Sequence, residues 1–153
     1  MPSPEHAADL ERVLTRAAEE CESGIAWFGE GLPRALKRAI EATGEATGKT
    51  TGSIHPSLAF VEVGGKVSDI PESVRRIVAL SSRGLEDLAM LLQLTRSAKP
   101  SIGRLICPVA VFDFTADHVR IREIRHGLTA ADLQHQAGTT LWSGPDLKEL
   151  GTH

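Results

Sequence analysis

The segment CPVAVFDFTADHVRIREIRHGLTAADLQHQAGTTL, residues 107–141, carries the clearest structural pattern of the chain. Its run 109–114 is apolar except for Asp113 near the end, as expected of a strand buried on both faces. Residues 115–117 (Thr-Ala-Asp) favour a turn. Residues 119–124 then alternate between apolar and charged side chains, which is typical of a half-exposed strand. The segment therefore predicts two strands joined as a hairpin.

A short helix with well-defined ends follows the hairpin. Thr129 is suited to the N-cap, and Asp132 three residues later can complete a short-armed capping box. Leu128 and Leu133 occupy the two positions of a hydrophobic staple. Gly138 stands where a left-handed C-cap is expected. This pattern predicts a helix between Thr129 and Gly138, and a purely structural role accounts for all of it.

The rest of the chain alternates between helical and strand patterns. The helical patterns predict an amphipathic helix from Ser3–Pro4 to about Ser23–Gly24, a helix from Leu32 to Gly44 and an apolar helix at 85–94. The strand patterns predict strands at 25–28, 58–63 and 76–80, and a last turn is expected near 146–150. The helix at 85–94 is apolar on most of its surface and is expected to be deep in the core or covered by another subunit. This alternation predicts a single α/β domain over 1–153, with a mostly parallel sheet flanked by helices.

Composition excludes several classes of protein. The chain has 153 residues, 41% of them hydrophobic and 24% charged, and a net charge of −3, which gives no support for nucleic-acid binding. No apolar run approaches the roughly 18 residues of a membrane span, and the N-terminus lacks the apolar core of a signal peptide. Cys21 and Cys107 lie far apart in apolar surroundings, so we expect buried free thiols and a cytoplasmic protein.

Two kinds of site have weak support in the sequence. The run 43–53 is rich in Gly, Thr, Ala, Glu and Lys and predicts a flexible loop; it resembles a phosphate-binding loop, but the first glycine of that motif is replaced by Thr43. Six histidines show no metal-binding spacing, so no metal is expected.

Ligands of parallel sheets bind beyond the carboxyl ends of the strands. The two glycine-rich loops at such ends are Gly29–Glu30–Gly31 and Gly64–Gly65.

Residues 60–142 resemble the C-terminal part of family I CoA-transferase β-subunits. The likeness lies in Val109–Asp113, the Gly127–Leu128–Thr129 stretch before the capped helix, the segment Gly64–Ile70, and RRIVAL at 75–80. That family includes 3-oxoacid CoA-transferases and has a CoA-transferase/NagB-like fold. The chain departs from the family pattern where it has Cys107–Pro108, and it carries one inserted residue after the glycine pair.

The resemblance implies roles for three residues. In the family a glutamate of an E-N-G loop attacks the acyl-CoA thioester and becomes a glutamyl–CoA thioester; this implies that Glu30 is catalytic, although no asparagine follows it. The family's glycine pair approaches the thioester and supplies backbone N–H groups to the oxyanion, which implies that Gly64 and Gly65 bind CoA. Glu62 replaces an earlier glycine of that loop, and its charge would oppose an oxyanion if it pointed inward. The structural alternatives are a solvated carboxylate at a helix start for Glu30 and a tight turn for the glycines.

The sequence leaves three functional hypotheses. The first is a CoA-transferase β-subunit-like protein, with acyl-CoA and a carboxylic acid as substrates, no metal, and an α-type subunit or a second copy of the chain as partner. The second is a catalytically silent, shortened relative that acts as a structural or regulatory partner subunit, as the departures at Glu30 and Glu62 suggest. The third is a nucleotide-binding α/β protein that uses the 43–53 loop. Membranes and nucleic acids are not expected partners.

Overall fold

The computed structural model describes residues 4–20, 26–43, 56–65, 70–99 and 101–150. Its elements in chain order are α1 (Pro4–Glu20), β1 (Ala26–Phe28), α2 (Leu32–Thr43), β2 (Leu58–Glu62), β3 (Arg76–Leu80), a 3-10 turn (Leu85–Asp87), α3 (Leu88–Ser97), β4 (Arg104–Ile106), β5 (Ala110–Phe114), β6 (Val119–Arg125), α4 (Ala130–Ala137) and β7 (Leu141–Leu150). Most of the 43–53 loop lies outside the described residues, and so does Cys21.

The strands form one sheet in which sequence order and spatial order coincide, from β1 at one edge to β7 at the other. The neighbours β1–β2, β2–β3, β3–β4 and β6–β7 are parallel. The β4–β5 and β5–β6 pairs are antiparallel, so the predicted hairpin is confirmed. The predicted fold class, an α/β domain with a mostly parallel sheet flanked by helices, is therefore confirmed.

Helices cover both faces of the sheet because its strands are apolar on both sides. One face packs against α1 and α2 through buried residues such as Val13 and Leu36. The other face packs against α3 and α4 through Leu88, Leu91 and Leu133. Strands β2 to β5 contribute alternate side chains to the two clusters, so the apolar run 109–114 is buried on both sides over its first residues.

The capped helix agrees with its sequence pattern in detail. The Thr129 hydroxyl accepts a hydrogen bond from the backbone N–H of Asp132 at 3.2 Å, and the Asp132 carboxylate accepts one from the N–H of Thr129 at 2.9 Å. Gly138 ends α4 with φ = 68°, in the left-handed region. A side chain at Gly138 would approach Ala89 on α3 to 3.3 Å, so this glycine also permits close packing of the two helices.

Three predictions of secondary structure need correction. Strand β4 was not predicted, because three residues are too few to show a period. Strand β7 covers Leu141–Leu150, where only a final turn was expected; Gly144 and Pro145 in its middle hide the pattern, and the β6–β7 register shifts there. The apolar helix begins as a 3-10 turn at 85–87, where an α-helix was expected, and continues as α3 to Ser97, next to the Ala98–Lys99–Pro100 stop that the sequence predicts.

A network of ion pairs joins α1 to the sheet. The Glu20 carboxylate, whose side chain is only 6% exposed, pairs with Arg16 at 2.6 Å, with Arg104 at 3.0 Å and with Arg76. Burial, together with the neighbouring Arg104, lowers the pKa of Arg76. Buried charges persist in a protein only when they are paired. The cluster therefore fixes α1 across the amino-terminal ends of β3 and β4.

Candidate functional site

The loops that follow β1 and β2 lie side by side at the carboxyl-terminal ends of the parallel strands. This end of the sheet is called the carboxyl edge below. Both strands are parallel to β3, so their ends meet at one edge. The N–H of Gly29 donates to the carbonyl of Phe60 at 3.0 Å, and the N–H of Val63 donates to the carbonyl of Leu80 at 3.0 Å. These bonds hold the two glycine-rich loops close to the strands. The edge predicted from the sequence thus contains Glu30, Glu62, Gly64 and Gly65.

Glu30 is exposed on the short loop between β1 and α2. The next residue, Gly31, has φ = 82°, which favours glycine. The structure thus places Glu30 at the carboxyl edge of the sheet, with its side chain largely exposed to solvent. Its predicted catalytic role stays a prediction.

Glu62 is the half-buried carboxylate at the same edge. Its Oε1 atom accepts a hydrogen bond from the backbone N–H of Leu32, the first residue of α2, at 3.2 Å. A Cβ atom at Gly31 would lie 2.9 Å from this oxygen, so a larger residue there would displace the carboxylate. The amino-terminal end of a helix stabilises a negative charge. The Glu62 carboxylate is therefore held at the start of α2 by this hydrogen bond.

The glycine pair turns the chain directly after Glu62. Gly64 has φ = 84°, and the N–H of Gly65 donates to the carbonyl of Glu62 at 2.8 Å. The N–H of Gly64 has no hydrogen-bond partner within the part of the chain that the structure describes. Of the two predicted backbone donors, the amide of Gly65 closes the turn, and that of Gly64 has no partner among the described residues.

Sequence reasoning considered Glu62 only as an obstacle to an oxyanion. Glu62–Val63–Gly64 nevertheless has a glutamate two residues before a glycine, the same spacing as in an E-x-G pattern. Glu30, which lies between two glycines, is the more conspicuous carboxylate in the sequence. The structure adds what the pattern lacks, because it shows which of the two carboxylates is held in place.

A cavity of about 710 Å³ lies farther along the same edge, between the loop after β3 and the turn after β6. Its cations are each close to a carboxylate: Arg83 lies 3.4 Å from Asp87, and Arg125 lies 3.8 Å from Asp9. None of the predicted site residues lines this cavity. The structure therefore keeps the glutamates and the glycine pair separate from it.

Other types of site find little support in the described residues. Cys107 is fully buried, its Sγ donates to the carbonyl of Ala110 at 3.4 Å, and burial raises the pKa of its thiol to about 11. The thiol is therefore protonated at neutral pH and is not a ready nucleophile. No three His, Cys, Asp or Glu side chains of the described ranges form a group that could hold a metal ion. Within the same ranges, no helix is both long enough and apolar enough to cross a membrane.

Comparison with known proteins identifies the fold. No family model matches the sequence, and no curated protein matches it. Among solved structures, the chain is similar to the acyl-CoA transferase YdiF apoenzyme from Escherichia coli O157:H7, with a TM-score of 0.65 and 15% identity over 92% of this chain. A CoA thioester complex of that enzyme gives a TM-score of 0.63 at 15% identity, also over 92% of this chain. The decarboxylase AibA/AibB gives 0.57 at 14% identity over 94% of this chain.

This chain covers different shares of the proteins that it matches. It covers 43% of the acyl-CoA transferase chain and 89% of the matched decarboxylase chain. The two enzymes also differ in reaction, one being a transferase and the other a decarboxylase. At such low identity the likeness concerns the fold alone. The chain has a CoA-transferase-like α/β fold.

Proposed function

We propose that the chain is a CoA-transferase domain that moves CoA between an acyl-CoA thioester and a carboxylic acid, with Glu62 as the nucleophile. The observation that carries this proposal is the fixed Glu62 carboxylate at the carboxyl edge of the sheet, between the start of α2 and the glycine turn. The CoA-transferase-like fold and the E-x-G spacing at Glu62 and Gly64 support it.

The chemistry needs a carboxylate that is ionised and held still. A Glu62 oxygen would add to the thioester carbonyl, and the C–S bond would break. The CoA thiolate would leave, and a mixed anhydride of Glu62 and the acyl group would remain. The thiolate would then attack the glutamyl carbonyl, which releases the first acid and forms glutamyl–CoA. A second carboxylate would reverse both steps to form the new acyl-CoA. The N–H of Gly64 is the available backbone donor for the oxyanions of these steps.

Glu30 is the alternative nucleophile predicted from the sequence. It lies two residues before the start of α2, on the loop next to Glu62, and reaches the same edge from solvent. A nucleophile benefits from a side chain whose position is already fixed before the substrate binds. Glu62 has such a position through Leu32, and this difference favours Glu62.

The partner in this proposal is an α-type CoA-transferase subunit or a second copy of the chain. Its support is that the chain covers 43% of the transferase it resembles, so more than half of that chain has no counterpart here. We expect the missing part to contribute further contacts to CoA. The competing function, a catalytically silent partner subunit, predicts that neither glutamate reacts.

The test is covalent trapping on the chain alone and together with an α-type subunit. Acetoacetyl-CoA is added, the thioester intermediate is reduced with borohydride, and intact mass and peptide mapping locate the modified residue. We expect modification at Glu62 that is absent in Glu62→Gln. This variant keeps an oxygen that can accept the hydrogen bond from Leu32, so the loop should be preserved.

Glu30→Gln is the matched control, because it removes a carboxylate from the neighbouring loop. Modification of Glu62 should continue in this variant. Modification at Glu30 instead would return the role to the residue predicted from the sequence. If no adduct forms in the presence of an α-type subunit that activates other β-type subunits, the result would support the hypothesis of a catalytically silent partner subunit.

A further inference from the structure

Helix α3 carries two large apolar side chains on its outward face. Met90 is 40% exposed and Leu94 is 41% exposed, whereas the opposite face of α3 is buried in the core. The two residues are four positions apart, so they lie next to each other on the helix surface. Trp142 on β7 is the other large apolar residue that is exposed within the described ranges. The pair forms a local apolar surface that core packing does not use.

This surface adjoins the glycine pair of the candidate site. A Cβ atom at Gly64 would lie 3.9 Å from Cδ1 of Leu94. A Cβ atom at Gly65 would lie 3.8 Å from Cβ of Glu62. Both glycines are exposed. A ligand lying across the glycine turn would have the carboxylate at one end and Leu94 at the other.

We propose that Met90 and Leu94 form the surface that receives the acyl chain, and that the substrate is an acyl-CoA with an aliphatic chain longer than acetyl. This inference rests on the proposed function, because it places the thioester carbonyl at the glycine turn. A short acyl group at that position could contact Leu94 but would leave Met90, about 6 Å farther along the helix axis, uncovered. A longer apolar chain would cover both side chains and exclude water from them, which favours binding in proportion to the apolar area buried.

The expected effect follows from the burial of methylene groups. Each methylene removed from water on this surface should strengthen binding about fourfold, from roughly 0.8 kcal/mol per buried CH₂. The gain should stop when the chain extends beyond Met90. If polar side chains of similar size replace Met90 and Leu94, the affinity should depend much less on the length of the acyl chain.

The experiment measures binding without chemistry. The affinities of ethyl-, butyl- and hexyl-CoA thioethers are determined by calorimetry for the Glu62→Gln protein, together with its α-type partner. Affinity should rise about fourfold per methylene and become nearly independent of chain length when Met90→Gln and Leu94→Asn are added. Both substitutions are at exposed positions and are close in size to the original residues. Trp142→Gln, which removes a distant exposed apolar side chain, should leave the dependence unchanged.

The outcomes separate this inference from the proposed function. Affinities that do not depend on chain length, or a dependence that survives the double substitution, would overturn the acyl surface even if Glu62 is modified in the trapping experiment. Loss of partner binding in the double variant, seen by size-exclusion chromatography, would assign Met90 and Leu94 to a subunit contact instead. A chain-length dependence that requires both residues, without any adduct at Glu62, would support the surface and remove the transferase.

Discussion

Replacing Glu20 by glutamine tests whether the ion-pair network holds α1 on the sheet. The substitution preserves the shape of the side chain and removes its charge. It leaves the cations Arg16, Arg104 and Arg76 next to one another without their common carboxylate. Removal of one partner from a buried ion pair usually costs about 3–5 kcal/mol, because the remaining charge is uncompensated.

The structure places the expected cost at the lower end of that range. Arg16 keeps a second carboxylate, Glu123, with contacts of 2.6–2.9 Å. Arg104 keeps Asp113, at 2.6 and 3.1 Å. The Arg76 side chain is 40% exposed and can turn toward water. We therefore expect Glu20→Gln to lower the free energy of unfolding by about 3 kcal/mol, and the melting temperature by roughly 6–12 °C.

Urea denaturation followed by circular dichroism measures this change, with an unchanged slope as the sign of two-state unfolding. Asp87→Asn is the control, because it removes a carboxylate from the exposed pair with Arg83 at 3.4 Å and should cost less than about 1 kcal/mol. A cost for Glu20→Gln as small as that of the control would refute the reasoning. The network would then contribute no more than a surface ion pair.

Three further changes test other parts of the fold. Burial raises the pKa of the Cys107 thiol to about 11, so the thiol loses its proton at lower pH in the unfolded chain than in the folded protein. The free energy of unfolding should therefore be constant below about pH 9 and fall by up to about 1.4 kcal/mol per pH unit toward pH 11. Urea denaturation across this pH range measures the fall, which should be smaller in Cys107→Ala. Thr129→Ala removes the capping box and should cost about 1 kcal/mol, measured in the same way. Gly138→Ala should cost more than Gly127→Ala in thermal unfolding, since both have positive φ but only Gly138 would approach Ala89 within 3.3 Å; equal costs would show that helix packing there adjusts freely.

Most of the secondary structure could be predicted because it is encoded locally. The hairpin follows from a continuous apolar run, a turn and an alternating run, and the structure has them as β5 and β6. The capped helix follows from residues three to five positions apart. Strands β4 and β7 could not be predicted, because one is too short for a period and the other contains Gly144 and Pro145.

The candidate site was only partly predictable. The sequence indicated that both glycine-rich loops meet at the carboxyl edge of the sheet, as the structure has them. It favoured Glu30, which lies between two glycines, and gave Glu62 no catalytic role. The distinction depends on the contact of Glu62 with Leu32, which is 30 positions away in the chain. The proximity of Leu94 to Gly64 is likewise a contact between distant segments.

The sequence by itself determined the α/β class, the hairpin, the capped helix and the two glycine-rich loops, because each depends on side-chain type and spacing over a few residues. The tertiary structure decided which carboxylate is held, how Glu20 joins three arginines, and which face of α3 stays exposed. These features arise only when strands and helices that are distant in sequence pack together. Local patterns cannot specify them, since the same residue types satisfy the pattern whether or not their distant partners are present.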